Sequence, residues 1–127
     1  ARKLLKVEGV GALTATAIVA SIGNPNTFKN GRQFAAWLGL VPKQHSSGGR
    51  NIMRGITKHG DVYLRTLLIH GARTVLLMAK RGRGKHQEWI GQLRERKADN
   101  VVAVAFAAKQ ARMLWAIMMG KEPLVVK

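Results

Sequence analysis

The sequence has no cysteine, and this absence excludes two common ways of stabilising a small protein. None of the 127 residues is a cysteine, so neither a disulfide nor a cysteine-ligated zinc ion can form. The fold must depend on the packing of apolar residues, which make up 46% of the chain. That fraction argues against disorder, and the length is sufficient for a buried core. A chain without cysteine also fits a reducing compartment.

Acidic residues are scarce as well, which leaves a large excess of positive charge. Only 6 residues are acidic against 22 lysines and arginines, and the formal net charge is +16. Such an excess repels itself in the folded state and favours a polyanionic partner. Nucleic acid is the leading candidate, because clustered cations release counterions from its phosphates. An anionic membrane surface is the weaker alternative.

Residues that bind metals are few and scattered along the chain. The four histidines lack the H-x-x-x-H type of spacing, and the acidic residues stand apart from one another. Helix capping and surface pairing account for the acidic residues better than a metal site does. We therefore expect neither a metal site nor any other cofactor within this chain.

An uninterrupted apolar run of about 18 residues, the length that crosses a membrane, is also missing. The longest candidate covers residues 99–120, but Lys109, Gln110 and Arg112 lie near its middle, where charge is costly in lipid. This pattern predicts a buried helix of a soluble protein without a membrane partner. The N-terminus lacks the apolar region of a signal peptide, and because it does not begin with methionine we expect further sequence upstream.

Apolar residues recur at helical spacing along most of the chain, and no segment alternates like a strand, so we predict an all-α fold. Asn30 and Gln33 form a pattern like a capping box at one helix start. Trp37, Trp89 and Trp115 are predicted core anchors, and Tyr63 is predicted to pack rather than act as a nucleophile. The predicted helices cover about residues 12–22, 30–39, 61–80, 86–97 and, capped by Asp99 or Asn100, up to about 119; Gly23, Gly39 and Gly120 end the first, second and last of them.

The first distinctive motif is the glycine hairpin in VEGVGALTATAIVASIG, residues 7–23. It resembles the helix-hairpin-helix motif of DNA-binding proteins, in which two glycines precede a helix. Glycine lets a partner approach the backbone closely, and free amides at a helix N-terminus attract anions. Gly9, Gly11 and the amides of Ala12 and Leu13 are therefore predicted to hold a DNA phosphate. The alternative interpretation is an ordinary turn at a helix start.

The second motif is the segment PKQHSSGGRN, residues 42–51, within a long basic loop predicted over residues 41–60. A serine hydrolase is improbable, because the nucleophile motif G-x-S-x-G is missing. Attack of a serine on a phosphodiester needs cations that stabilise the charge developing on the phosphate oxygens. The alternative is a flexible basic loop that only touches phosphate. The cations that follow Ser47 and have the right chemistry are Arg50, Arg54, Lys58 and Arg65.

Several motifs in a fixed order resemble one known family. These are the early G-x-G, FAAWLGLVP at 34–42, SSGG at 46–49 and GITKHGDVYLRTLLIHGAR at 55–73. Together they resemble the C-terminal transposase domain of the one-ten group of bacterial insertion sequences, relatives of the Piv DNA invertases. The resemblance implies one C-terminal domain over residues 1–127, with a helix-hairpin-helix-like part at 7–40, a serine loop at 41–60 and a helical part at 61–120.

The resemblance also implies a mechanism and partners. The family serine precedes Gly-Gly, which corresponds to Ser47, with Ser46 as the fallback because the doublet leaves the register open. An upstream RuvC-like domain with four acidic residues would bind Mg²⁺. The resemblance implies that the protein binds DNA and a guide noncoding RNA. It also implies a dimer or tetramer and a cytoplasmic, nucleoid-associated location. The alternative function is a non-catalytic DNA- or RNA-binding helix-hairpin-helix module, or an oligomerisation domain with incidental charge. The predicted DNA-contacting residues are Gly9, Gly11, Lys43, Arg50, Arg54, Lys58 and Arg65.

Overall fold

The computed structural model describes the backbone of residues 2–22, 24–40 and 58–120. Side chains are described for residues 4–22, 24–40 and 62–120. Every regular element in these ranges is helical, which confirms the predicted all-α class. The elements in chain order are a 3-10 helix at Arg2–Lys6, α1 at Ala12–Ile22, a 3-10 helix at Pro25–Thr27, α2 at Gly31–Trp37, α3 at Lys58–Lys80, α4 at Gln87–Arg94 and α5 at Asp99–Met118.

Two helix starts differ from the prediction. α3 begins at Lys58, three residues before the predicted start, so the backbone of Lys58 belongs to the helix and not to the loop. The prediction that Asp99 or Asn100 caps the last helix is wrong, because Ala98 occupies the N-cap position without a side-chain hydrogen bond. The Asp99 carboxylate instead pairs with Arg94 at 3.0 Å and with Lys80 at 3.5 Å. Gly23, predicted to end the first helix, lies outside the described residues.

The start of α2 follows the predicted capping pattern with one change of partner. The Asn30 Oδ1 accepts a hydrogen bond from the Gln33 backbone N–H at 2.8 Å, so Asn30 is the N-cap. The Gln33 Oε1 accepts from the Lys29 backbone N–H at 2.6 Å, one residue before the cap. Both interactions satisfy amides at the helix entrance, and they fix the direction in which the chain enters α2.

The core is built around α5, which packs against both α2 and α3. Phe28, Phe34 and Trp37 form an aromatic cluster with ring centroids 5.2 to 6.1 Å apart. The Trp115 indole N–H donates to the Pro25 carbonyl at 3.0 Å, which fixes the short 3-10 helix to α5. These contacts confirm that aromatic side chains anchor the core. The buried residues of α5 are Val102, Ala103, Phe106, Ala107, Ala108, Gln110, Ala111, Leu114 and Trp115.

Two aromatic residues are less buried than predicted. Tyr63 is 48% exposed, so the prediction that it packs in the core is wrong. The next residue, Leu64, is fully buried, so Tyr63 lies on the side of α3 that faces away from the core. Trp89 is only half-buried, with the Lys109 ammonium 5.4 Å from its ring centroid. Because a cation over an indole face is attractive, Trp89 links α4 to α5 at the edge of the core.

Two helices are long and apolar enough to cross a membrane by length and composition alone. They are Val62–Lys80 within α3 and Asp99–Met118, which is α5. Half of the α5 segment is buried inside the fold, and 28% of the α3 segment is buried. The two helices pack against each other in the core, so packing within the fold accounts for much of the apolar character of α5 and for less of that of α3.

Candidate nucleic-acid interface

The glycine hairpin rests on α3 through a close backbone contact. Gly9 has φ +86°, a conformation that L side chains rarely adopt, and a β-carbon there would overlap the Val75 side chain at 2.8 Å. A β-carbon on Gly71 would in turn overlap the Gly9 carbonyl oxygen. The hairpin is closed by a hydrogen bond from the Val10 N–H to the Val7 carbonyl at 3.1 Å. Gly9 is therefore required for packing, whether or not it also contacts phosphate.

Gly11 differs from Gly9, because the space around it is open. Apart from Gly11 and its two chain neighbours, no heavy atom of the described residues lies within 4 Å of the position that a β-carbon would take. The Gly11 carbonyl accepts the first helical hydrogen bond of α1, from the Ala15 N–H at 3.0 Å. The preceding amides, including those of Ala12 and Leu13, stand at the helix end without intrahelical acceptors. Leu13 is 63% exposed, so this end of α1 is accessible to an anion.

The hairpin is held from behind by a buried glutamine of α5. The Gln110 side chain has no exposed surface, and its Nε2 donates to the Glu8 carbonyl. Its Oε1 is buried and has no hydrogen-bond partner among the described residues. Gln110 was not among the residues that the sequence predicted for this site. The signal in the sequence is that Gln110 shares a helical face with the apolar residues Ala103 and Ala107, where a buried polar group requires a partner.

A second tether joins the hairpin to the turn between α3 and α4. The Glu8 Oε1 lies 2.7 Å from the His86 Nδ1, and the Glu8 Oε2 accepts from the Lys85 backbone N–H at 3.1 Å. His86 is buried and meets the Phe106 ring edge-on, with centroids 5.1 Å apart. The tether brings residues 81–85, which we call the basic turn, next to the hairpin. Glu8 and His86 are 78 residues apart, so no local sequence pattern signalled this contact.

Arg65 has a structural contact that its sequence position did not reveal. Its Nη1 donates to the Leu38 carbonyl at 3.3 Å, and its guanidinium covers Gly39. Leu38 is the C-cap of α2 and Arg65 lies in α3, so this hydrogen bond joins the helices that precede and follow residues 41–57. The phosphate contact predicted for Arg65 remains a prediction beside this contact.

The predicted catalytic loop falls outside the described residues. Ser46 and Ser47 belong to that segment, as do the predicted phosphate contacts Lys43, Arg50 and Arg54. Lys58 is the first residue of α3, and only its backbone is described. The structure therefore describes the helices that precede and follow residues 41–57, and the arrangement of the side chains of the serine loop stays a prediction.

Two charged side chains of the described residues, Asp99 and Arg112, have pKa values below their ordinary ones. A hydrogen bond from Arg94, assisted by the charges of Arg94 and Lys80, lowers the pKa of Asp99 although desolvation opposes the shift. Burial lowers the pKa of Arg112, and the nearby charge of Arg32 lowers it further.

In the ranges 2–22, 24–40 and 62–120, no group of three or more metal-binding side chains is present.

These observations define a basic all-α fold in which the accessible N-terminus of α1 is tethered through Glu8 to the basic turn. A profile of the family described as Transposase IS116/IS110/IS902 matches residues 1–87, and the chain belongs to this family. The family assignment agrees with the resemblance inferred from the ordered sequence motifs.

Similar proteins are named as transposases. A probable family 20 transposase of Pseudomonas aeruginosa is 52% identical over 92% of this chain and 35% of its own length. The transposase for insertion sequence element IS1111A of Coxiella burnetii is 44% identical over 95% of this chain and 33% of its own. The transposase for element IS1328 of Yersinia enterocolitica is 38% identical over 92% and 35%. The chain thus spans about a third of these relatives. No solved structure matches the chain.

Proposed function

We propose that this chain is the serine-bearing, DNA-binding part of an insertion-sequence transposase. The observation that carries the proposal is family membership together with the Ser-Gly-Gly segment at Ser47. The net charge of +16 supports a polyanionic substrate. Relatives named as transposases support DNA transposition as the activity of the whole protein.

In the proposed chemistry Ser47 forms a covalent bond to DNA. The Ser47 Oγ attacks a backbone phosphorus and gives its proton to a base, while the bond from phosphorus to the departing strand's oxygen breaks. That oxygen leaves with a proton, and a serine phosphodiester remains. Attack on this ester by the hydroxyl of another strand restores the serine and completes the exchange. Arg50, Arg54 and Lys58 stabilise the negative charge on the phosphate oxygens.

The described contacts support this role through the positions of the flanking elements. The Arg65–Leu38 hydrogen bond joins the helices that precede and follow the serine loop. The hairpin amides of α1 provide a backbone contact that positions DNA without reading its sequence. Flanking helices that are joined in this way would hold the two ends of the serine segment, as the delivery of a hydroxyl to a scissile phosphate requires.

The metal and the other partners of the reaction are assigned outside this chain. The acidic residues with described side chains are not grouped as magnesium ligands: Glu8 binds His86, and Asp99 binds Arg94. We therefore assign Mg²⁺, which would stabilise charge on phosphate, to a RuvC-like domain elsewhere in the protein. A guide RNA, a dimer or tetramer and a location in the cytoplasm at the nucleoid complete the proposal.

The test uses the full-length protein with Ser47→Ala, and Ser46→Ala as the matched control. Recombination in cells and a denaturation-resistant protein–DNA adduct should both be lost in Ser47→Ala and retained in Ser46→Ala. Peptide mapping of the wild-type adduct should locate the nucleotide on Ser47. Normal recombination by Ser47→Ala would refute the assignment. Salt-sensitive DNA binding by a wild-type protein that neither recombines DNA nor forms an adduct would favour the non-catalytic module.

A further inference from the structure

The basic turn carries three exposed cations within five residues. Arg81, Arg83 and Lys85 are all exposed, and their side chains have no ion-pair partner in the part of the chain that the structure describes. Lys80 differs from them, because it pairs with Asp99. Unpaired cations at this density attract a polyanion. The basic turn is therefore a charged surface that the proposed serine chemistry does not use.

The conformation of the basic turn is fixed by backbone hydrogen bonds. The Gly82 N–H donates to the Ala79 carbonyl and the Arg83 N–H to the Met78 carbonyl, both at 3.0 Å. With Gly82 at φ +72°, this is a Schellman motif at the end of α3. The Gln87 side-chain amide adds a bond to the Gly84 carbonyl at 2.8 Å. A preorganised turn loses less conformational entropy on binding than a mobile one.

The tether to Glu8 places this turn against the glycine hairpin. Both Glu8 oxygens are engaged, by His86 and by the Lys85 N–H. A β-carbon on Gly84 would overlap the Glu8 carboxylate, so the turn wraps closely around it. Glu8 immediately precedes Gly9 in the hairpin. The basic turn is consequently joined through Glu8 to the segment that leads into α1.

We propose that the basic turn binds the phosphate backbone of duplex DNA, next to the phosphate held by the hairpin. This inference rests on the proposed function, because the same DNA contacts both features. Phosphate contacts require only cations and backbone amides. Single-stranded nucleic acid is usually held by stacking on aromatic side chains. Residues 8–11 and 81–85 contain no aromatic side chain, which favours duplex DNA over single-stranded RNA.

The test measures binding of a labelled DNA duplex by the full-length protein with Ser47→Ala, so that no covalent product forms. One variant adds Arg81→Ala, Arg83→Ala and Lys85→Ala; the control adds Lys29→Ala, Arg32→Ala and Arg96→Ala, three exposed cations elsewhere. Both sets remove the same charge and retain the glycines. The first set should weaken binding about 10-fold or more and reduce the slope of log affinity against log salt by roughly 2 to 3. The control should change the slope by less than about 1.

Equal losses in the two triple variants would overturn the proposal, because net charge alone would then explain the effect. Loss of affinity for a single-stranded RNA, with duplex binding unchanged, would overturn it in favour of RNA. Thermal melting should be the same in all these proteins, since every substituted side chain is exposed. The Ser47 test is independent of this one. If Ser47 is not the nucleophile, the basic turn can still bind duplex DNA. If the basic turn does not bind duplex DNA, the adduct on Ser47 can still form.

Discussion

Gly9 and Gly71 meet backbone to backbone, so the glycine hairpin lies directly on α3. The Gly71 carbonyl oxygen is 3.1 Å from the position of a β-carbon on Gly9, and the Gly9 carbonyl occupies the position of a β-carbon on Gly71. Neither residue can carry a side chain without movement of the hairpin. The pair therefore couples the phosphate-binding candidate to the longest helix of the domain.

The first prediction concerns Gly71→Ala. Alanine in a helix interior normally stabilises by about 0.5–1 kcal/mol relative to glycine. Here the added methyl group would overlap the Gly9 carbonyl, and overpacking of this kind costs about 1–3 kcal/mol. We expect a net loss in the free energy of unfolding, measured by urea denaturation of the full-length protein or its isolated domain. Gly91→Ala in α4 should be neutral or stabilising, because no described atom outside the local helix lies within 4 Å of the added β-carbon. Equal effects of both changes would contradict the contact.

Periodicity was sufficient to predict most of the helical elements. Apolar spacing predicted the bounds of α1 and α2 closely, because capping residues or glycines stand at the ends of each helix. Asn30 and Gly39 do so for α2. The extra turn at the start of α3 was missed because Lys58, His59 and Gly60 carry no apolar signal. Asp99 was misread as a cap because its partners, Arg94 and Lys80, are set by tertiary packing.

The long-range contacts of the site could not be predicted from local pattern. Glu8 and His86 are 78 residues apart, and Gln110 is 102 residues from its acceptor Glu8. The motif identified the hairpin and its two glycines, but it did not distinguish Gly9, which packs, from Gly11, which is open. That distinction depends on which element lies behind the hairpin. The sequence predicted Gly9 and Gly11 as site residues, whereas the residues that hold the hairpin in place, such as His86 and Gln110, follow only from the fold.

The second prediction separates the structural role of Arg65 from a role in binding DNA. Arg65→Ala removes the hydrogen bond to the Leu38 carbonyl and should lower the free energy of unfolding by about 1 kcal/mol. Arg73→Ala removes an exposed arginine from the same helix and should have almost no effect. Denaturant unfolding measures both. An Arg65→Ala protein as stable as Arg73→Ala would show that the contact contributes nothing to the fold.

The third prediction concerns the protonation of Asp99. Its pKa should lie below the ordinary value of 3.8, chiefly because Arg94 donates a hydrogen bond to the carboxylate. A lowered pKa in the folded state means that the stabilisation exists above the unfolded pKa and is lost as pH falls through the folded one. NMR titration of the carboxyl carbon should show the shift. Arg94→Gln should return the pKa further toward 3.8 than Lys80→Gln does; the reverse order would contradict the assigned cause.

The fourth prediction concerns Glu8, where net charge and the tether predict opposite changes in DNA affinity. Removing an acid from a basic protein should tighten DNA binding if only net charge matters, because the chain's charge rises from +16 to +17. Glu8→Ala, however, releases the basic turn by removing both the His86 and the Lys85 bonds. We expect weaker duplex binding in fluorescence anisotropy, and a loss of about 1–3 kcal/mol in unfolding free energy. Glu95→Ala makes the same charge change at an exposed site and should bind DNA as tightly as wild type or more tightly. If Glu8→Ala gains affinity to the same extent as Glu95→Ala, the tether has no part in presenting the turn to DNA.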